Sequence, residues 1–132
     1  MRKTPATFAL AALVLAATWT LGVAEARHIK APLTAQGGSG AGGFVQLTQL
    51  PGGGANLVVV ATGLTPGTTY TSFYYESADC TEPADEFATF VADKDGEGHA
   101  QGKIDDDLDE VGSVSVRLGP GYGALQACAQ VH

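Results

Sequence analysis

From Arg27 onward the chain alternates short apolar runs with clusters of glycine and proline, and no run shows the spacing of an amphipathic helix. His28 to Ala35 reads as a first strand, followed by the glycine-rich stretch 37–43. So few residues precede that stretch that it reads as a hairpin connection and not as a linker between domains. Phe44 to Leu50 alternates, with Phe44, Gln46 and Thr48 on one side and Val45, Leu47 and Gln49 on the other. Pro51–Gly54 marks a turn, and Asn56 to Thr62, centred on Leu57-Val58-Val59-Val60, is rich in β-formers. Pro66-Gly67 fits the centre of a type II turn, where proline presets φ and glycine supplies a positive one. Tyr70 to Glu76 is aromatic and β-branched, a strong strand signal. A polar loop is expected over Cys80–Glu86 and a strand over Phe87–Ala92. Asp93-Lys94-Asp95-Gly96 reads as a tight hairpin turn, with Gly98–Ile104 pairing back. After the acidic loop Asp105–Glu110, strands are expected over Val111–Leu118 and Ala124–Val131, joined by the turn Gly119–Gly123. Eight short strands with turns at regular spacing predict an all-β, antiparallel sandwich or barrel.

The first 26 residues belong to a different class of segment. Arg2 and Lys3 form a positive start, an apolar stretch from Phe8 to Val23 follows, and Ala24-Glu25-Ala26 has the small-residue pattern of a cleavage site. Residues 1–26 therefore read as a secretory signal peptide and 27–132 as one domain, secreted or periplasmic, with no membrane insertion after cleavage. The whole chain of 132 residues carries a net charge of −7. Without Arg2, Lys3 and Glu25, five cations and thirteen carboxylates remain, a net charge of −8. With cations so few and so scattered along the sequence, binding of nucleic acid or anionic lipid through a basic patch is not expected. Export also places Cys80 and Cys128 in an oxidising compartment, where an even cysteine count favours a disulfide. Closing so long a loop contributes about 4 kcal/mol in the chain-entropy account. No C-x-x-C motif and no basic neighbour mark either cysteine as a redox thiol.

Candidate chemistry is sparse. His28, His99 and His132 are far apart in sequence and share no metal-ligand spacing. Asp93, Asp95, Glu97 and Gly98 match the first half of a calcium loop, but Ile104 stands where a bidentate glutamate is required. The run Asp105–Glu110 leaves calcium open as a ligand, although a charge run is usually a solvated face. No G-x-S-x-G motif and no Cys–His pairing outside the expected bridge point to a nucleophile. The densest aromatic group is Tyr70, Phe73, Tyr74 and Tyr75. Strand alternation puts Phe73 and Tyr75 on one face and Tyr74 on the other. Tyr74 is expected in the core, and Phe73 and Tyr75 are the candidate contact surface for a ligand or partner.

Several landmarks in order resemble the copper/zinc superoxide dismutase family. Gly63-Leu64-Thr65-Pro66-Gly67 is similar to the family's turn before the copper-ligand strand. Glu76-Ser77-Ala78-Asp79-Cys80 resembles the segment carrying its first disulfide cysteine, and Ala127-Cys128 the one carrying the second. Ala92-Asp93-Lys94-Asp95-Gly96 resembles a family hairpin. The resemblance covers nearly all of residues 29–131. It implies an eight-stranded antiparallel Greek-key β-sandwich or barrel of the dismutase type and a Cys80–Cys128 bridge.

The family's chemistry is missing from the matching positions. Its copper-binding His-x-His falls on Phe73 and Tyr75, its last copper histidine near Leu118, and its anion-binding arginine near Leu125. The zinc loop is cut short between Cys80 and Ala92 and holds no histidine, and Glu86 falls near the zinc aspartate's place. Copper and zinc both need several converging ligands. The expectation is therefore a non-enzymatic, cofactor-free binding or structural module of the cell envelope, its partner an unidentified ligand or envelope protein. The alternative is a degenerate dismutase homologue that still binds some metal.

Overall fold

The computed structural model describes residues 27–132, so the signal-peptide segment lies outside the described residues. Nine strands form two antiparallel sheets: β1 His28–Pro32, β2 Thr34–Ala35, β3 Gly42–Gln49, β4 Ala55–Thr62, β5 Thr69–Tyr75, β6 Ala84–Val91, β7 Gly98–Ile104, β8 Ser113–Leu118 and β9 Leu125–Gln130. One sheet has the order β1-β3-β4-β7 and the other β2-β9-β8-β5-β6. The molecule is a sandwich of two sheets and not a closed barrel. Among the described residues no helix is long and apolar enough to cross a membrane.

Alternation builds the core. In β4, Ala55, Leu57, Val59 and Ala61 point inward, and Asn56, Val58, Val60 and Thr62 point outward. They meet Val45 and Leu47 of β3, Tyr70 and Tyr74 of β5, Val114 and Val116 of β8, and Ala127 and Ala129 of β9 in one apolar cluster. Each large side chain so buried contributes about 1.5–3 kcal/mol. Tyr74 lies in this core, as alternation predicted.

Three expectations about the strands are corrected. The segment His28–Ala35 is two strands. At buried Leu33 the chain leaves the four-stranded sheet and pairs with β9, Thr34 opposite Cys128. The polar loop after Cys80 ends early, because β6 begins at Ala84 and pairs with Tyr75. Finally, the Asp93–Gly96 turn is real, but its flanking strands do not pair with each other. Asp93 accepts hydrogen bonds from the backbone amides of Asp95 and Glu97 at 2.9 and 3.0 Å, and Gly96 has φ +77°. Yet β6 pairs with β5 and β7 with β4, so the turn is an arch from one sheet to the other. The aromatic rings of β6 explain the arch. Phe90 packs where a side chain on Gly98 would stand, and the Phe87 ring lies against Gly102. The two rings wedge the strands apart and seal that side of the core.

Candidate functional site

The expected contact residues lie on the outer face of the five-stranded sheet, and they are not open to solvent. Phe73 is 6% exposed and Tyr75 1%. The proposed surface at these two side chains is thus corrected: they belong to a second, smaller apolar cluster with Cys80, packed by Ala84, Leu125 and Cys128. Two connections fold back over this face and cover it.

The first cover is the segment after β5. The Cys80–Cys128 disulfide ties it to β9. Cys80 sits at φ +59°, a left-handed conformation that costs a non-glycine residue about 1 kcal/mol. Its surroundings hold it there. The Ser113 hydroxyl accepts the Cys80 amide at 2.9 Å and donates to the Ser77 carbonyl at 2.7 Å. The Cys80 carbonyl accepts from Arg117 at 3.3 Å.

The second cover is the turn between β8 and β9. Tyr122, 39% exposed, meets Phe73 edge to face, with ring centres 4.8 Å apart. The half-buried Arg117 guanidinium lies 3.7 Å from the Tyr122 ring centre, a cation–π contact. Its Nε donates to the Tyr75 hydroxyl at 3.1 Å, and another nitrogen donates to the Gly123 carbonyl at 3.0 Å. Tyr75 shares a further hydrogen bond with Ser115 at 2.6 Å. Burial, then the adjacent Tyr75 hydroxyl, pushes the Tyr122 hydroxyl up to about 12, with Arg117 acting in the opposite direction. Every buried polar side chain beneath has a partner. Thr71 contacts the Thr89 hydroxyl and accepts from the Gly121 amide, and Ser72 donates to the Ser115 carbonyl. Buried polar groups satisfied in this way stabilise a packed layer.

This face is the position that the dismutase resemblance assigns to a metal centre, and the residues present do not fit one. Phe73, Tyr75 and Leu125 gather there and offer no imidazole. Leu118 lies apart, opposite Tyr70 and 38% exposed. Glu86 stands opposite Phe73 on β6. Among the described residues no three His, Cys, Asp or Glu side chains come together in a way that could hold a metal ion. His28 and His99 lie on the other sheet, and the His132 ring bonds to the Leu108 carbonyl at 2.8 Å.

The acidic loop contains one 3-10 turn, Leu108–Glu110. Asp107 is occupied by the fold: its carboxylate accepts from the Gly54 amide at 2.7 Å and from the Gln49 side chain at 3.1 Å. Those bonds, the Gly54 one first, hold its pKa below the ordinary carboxylate value. Glu110 accepts the Asp107 amide at 2.7 Å. Burial, then Glu110, Asp85, Glu76 and Asp105, pushes the Asp106 carboxyl up. Burial and the carboxylates of Asp85, Asp106 and Asp105 push the Tyr74 hydroxyl up in the same corner. It lines a cavity of about 250 Å³ between β6 and β7.

Arg117 and Tyr122 are the residues that sequence reasoning passed over. Val111 to Leu118 alternates Ser113, Ser115 and Arg117 against Val114, Val116 and Leu118, which puts Arg117 on the face opposite the two valines. Nothing local joins it to Tyr75 or to the Cys80 loop. No protein-family model matches the chain, and no curated protein matches it.

Proposed function

We propose that the chain is a secreted or periplasmic, non-catalytic protein, a binding or structural module of the cell envelope, built on a Greek-key sandwich of the copper/zinc superoxide dismutase type. The observation that carries the reading is the filled outer face: where the resemblance calls for a metal and an open approach to it, Phe73 and Tyr75 are buried under Arg117, Tyr122 and the disulfide loop. Its buried polar groups already bond one another, so among the described residues this face offers no unengaged nucleophile or acid–base pair. The strand order supports the Greek-key reading, because β4 neighbours β7, and β8 lies between β9 and β5. The net charge of −8 on the exported chain gives a small anionic substrate such as superoxide no long-range steering toward the protein. The signal-like segment and the disulfide support export.

The test is to express the full chain with its own signal segment, recover the exported form, and add copper and zinc before dialysis. The expected result is an N-terminus at Arg27, no stoichiometric metal, and no dismutase activity above that of free copper. Stoichiometric bound copper, or activity beyond the free ion, would replace this reading with a degenerate dismutase.

A further inference from the structure

The outer face of the four-stranded sheet is open, and its charge is unlike that of the rest of the chain. None of β1, β3, β4 and β7 contains an aspartate or glutamate. The carboxylates of the described residues all lie on the other sheet or in connections. Strand register aligns His28, Thr48, Asn56 and Lys103 in one row across all four strands. One step along β1, Lys30 holds its ammonium 4.3 Å from the centre of the Phe44 ring. Among the described residues the ion pair that forms, Lys94–Asp95, lies on the β6–β7 arch, and neither Lys30 nor Lys103 forms one. Nor does any of His28, Thr48, Asn56 and Lys103 make a side-chain hydrogen bond to another described residue. By contrast Gln49, Gln126 and Gln130, elsewhere in the strands, bond backbone carbonyls.

We infer that this face binds a carboxylated polysaccharide. Neighbouring strands are ~4.8 Å apart, about the advance of one pyranose ring along a glycan. A row of four strands therefore offers one polar group per sugar to a polymer lying across them. A hydroxyl and an amide in the middle, Thr48 and Asn56, suit sugar hydroxyls. Lys103 at one end and Lys30 near the other, its ammonium held over the half-buried Phe44 ring, suit carboxylates. Two lysines on an exported form of net charge −8 favour a polymer whose charges are spaced by neutral sugars over a densely charged one such as a nucleic acid. The assignment deepens the binding-module reading and rests on it. Its test contains no metal and reads no activity, so either reading can fail alone.

The probe is hyaluronate, which carries a carboxylate on every second sugar, with neutral dextran as comparator, in affinity electrophoresis of the exported chain at low and high salt. Retardation by hyaluronate that fades with salt is expected, with none by dextran. The double variant Lys30→Glu/Lys103→Glu should bind about tenfold more weakly or worse, and Lys94→Glu, with the same sign of change on the arch, should lose less than about twofold. Asn56→Ala should weaken binding and leave its salt dependence unchanged. These side chains are half-buried or exposed, and circular dichroism should show each variant folded. Absence of retardation, equal retardation by dextran, or equal losses in Lys94→Glu and the double variant would overturn the inference. Sedimentation that shows self-association through this face, lost in the double variant, would assign the face to a second copy instead.

Discussion

The two outer faces of the sandwich follow the same strand alternation and reach opposite outcomes. On the five-stranded sheet, outward Phe73 and Tyr75 are buried beneath the Cys80 segment and the Tyr122 turn. On the four-stranded sheet, outward Val58 and Val60 stay half-exposed among Gln46, Asn56 and Gln101. The strands do not account for the difference. The connections over residues 76–83 and 119–124 fold back over one face and are held there by a disulfide and an arginine. Among the described residues, Gln46, Asn56 and Gln101 on the other face make no such side-chain bonds. An outward position on a strand is therefore a surface position only when no distant segment returns to cover it.

Stability measurements on matched variants would break or sharpen this contrast. Replacing Phe73 and Tyr75 together by alanine should cost more than about 4 kcal/mol, as for other buried aromatics. Val58→Ala/Val60→Ala on the open face should cost far less. Equal losses in chemical denaturation would mean that the two faces are equally buried, and the contrast would be wrong. Replacing both cysteines by serine should cost about 2–5 kcal/mol and expose Tyr122, read as faster amide exchange in the turn 119–123. Arg117→Leu should cost about 1–3 kcal/mol, since it leaves the Cys80 and Gly123 carbonyls and the Tyr75 hydroxyl without their donor. A neutral outcome would reduce Arg117 to a surface cation. Lys30→Glu and Lys103→Glu should change stability by no more than about 0.5 kcal/mol, the usual range for exposed positions.

The smallest effects are pH-dependent and concern the acidic loop. Folding lowers the Asp107 pKa, so its contribution is present above the ordinary carboxylate value and is lost as pH falls through its lowered one. Asp107→Asn should therefore lose less melting temperature than the parent when acidified from pH 7. Asp106 is raised, so its ionisation opposes folding, and that penalty grows as pH rises from the ordinary carboxylate value through the raised one. Asp106→Asn should melt higher than the parent at neutral pH and match it in strong acid. Opposite signs in either melting series would show that the loop is arranged otherwise.

Much of the fold was legible because period-two alternation and turn chemistry are local. β4, β5 and β7 fall within a residue of where the pattern put them, β3 starts two residues earlier, and Tyr74 lies in the core. The Cys80–Cys128 bridge followed from an even cysteine count and the family resemblance. The misreadings share a cause. The Asp93–Gly96 turn was recognised from its own residues, but the pairing of its flanks depends on Phe87 and Phe90 meeting Gly102 and Gly98 across the sandwich. The split of the first strand at Leu33 depends on β9, which lies almost a hundred residues away. The surface expected at Phe73 and Tyr75 was lost to Tyr122 and the disulfide loop for the same reason.

The sequence by itself determined the all-β class, most strand boundaries, the inward set of side chains and the absence of imidazoles from the dismutase-like positions. These follow from alternation, turn residues and residue identity, none of which needs a partner distant in the chain. The tertiary structure alone decided which outward residues are covered and how the charge is distributed. Lysines and histidines scattered along the chain share one sheet without carboxylates because β1, β3, β4 and β7 become neighbours through crossings between the sheets. Arg117 becomes the clasp of the opposite face because Tyr75, Gly123 and the Cys80 carbonyl converge on it in space. Burial and electrostatics depend on spatial distance, and in an antiparallel sandwich that distance is set by strand order and not by separation along the chain.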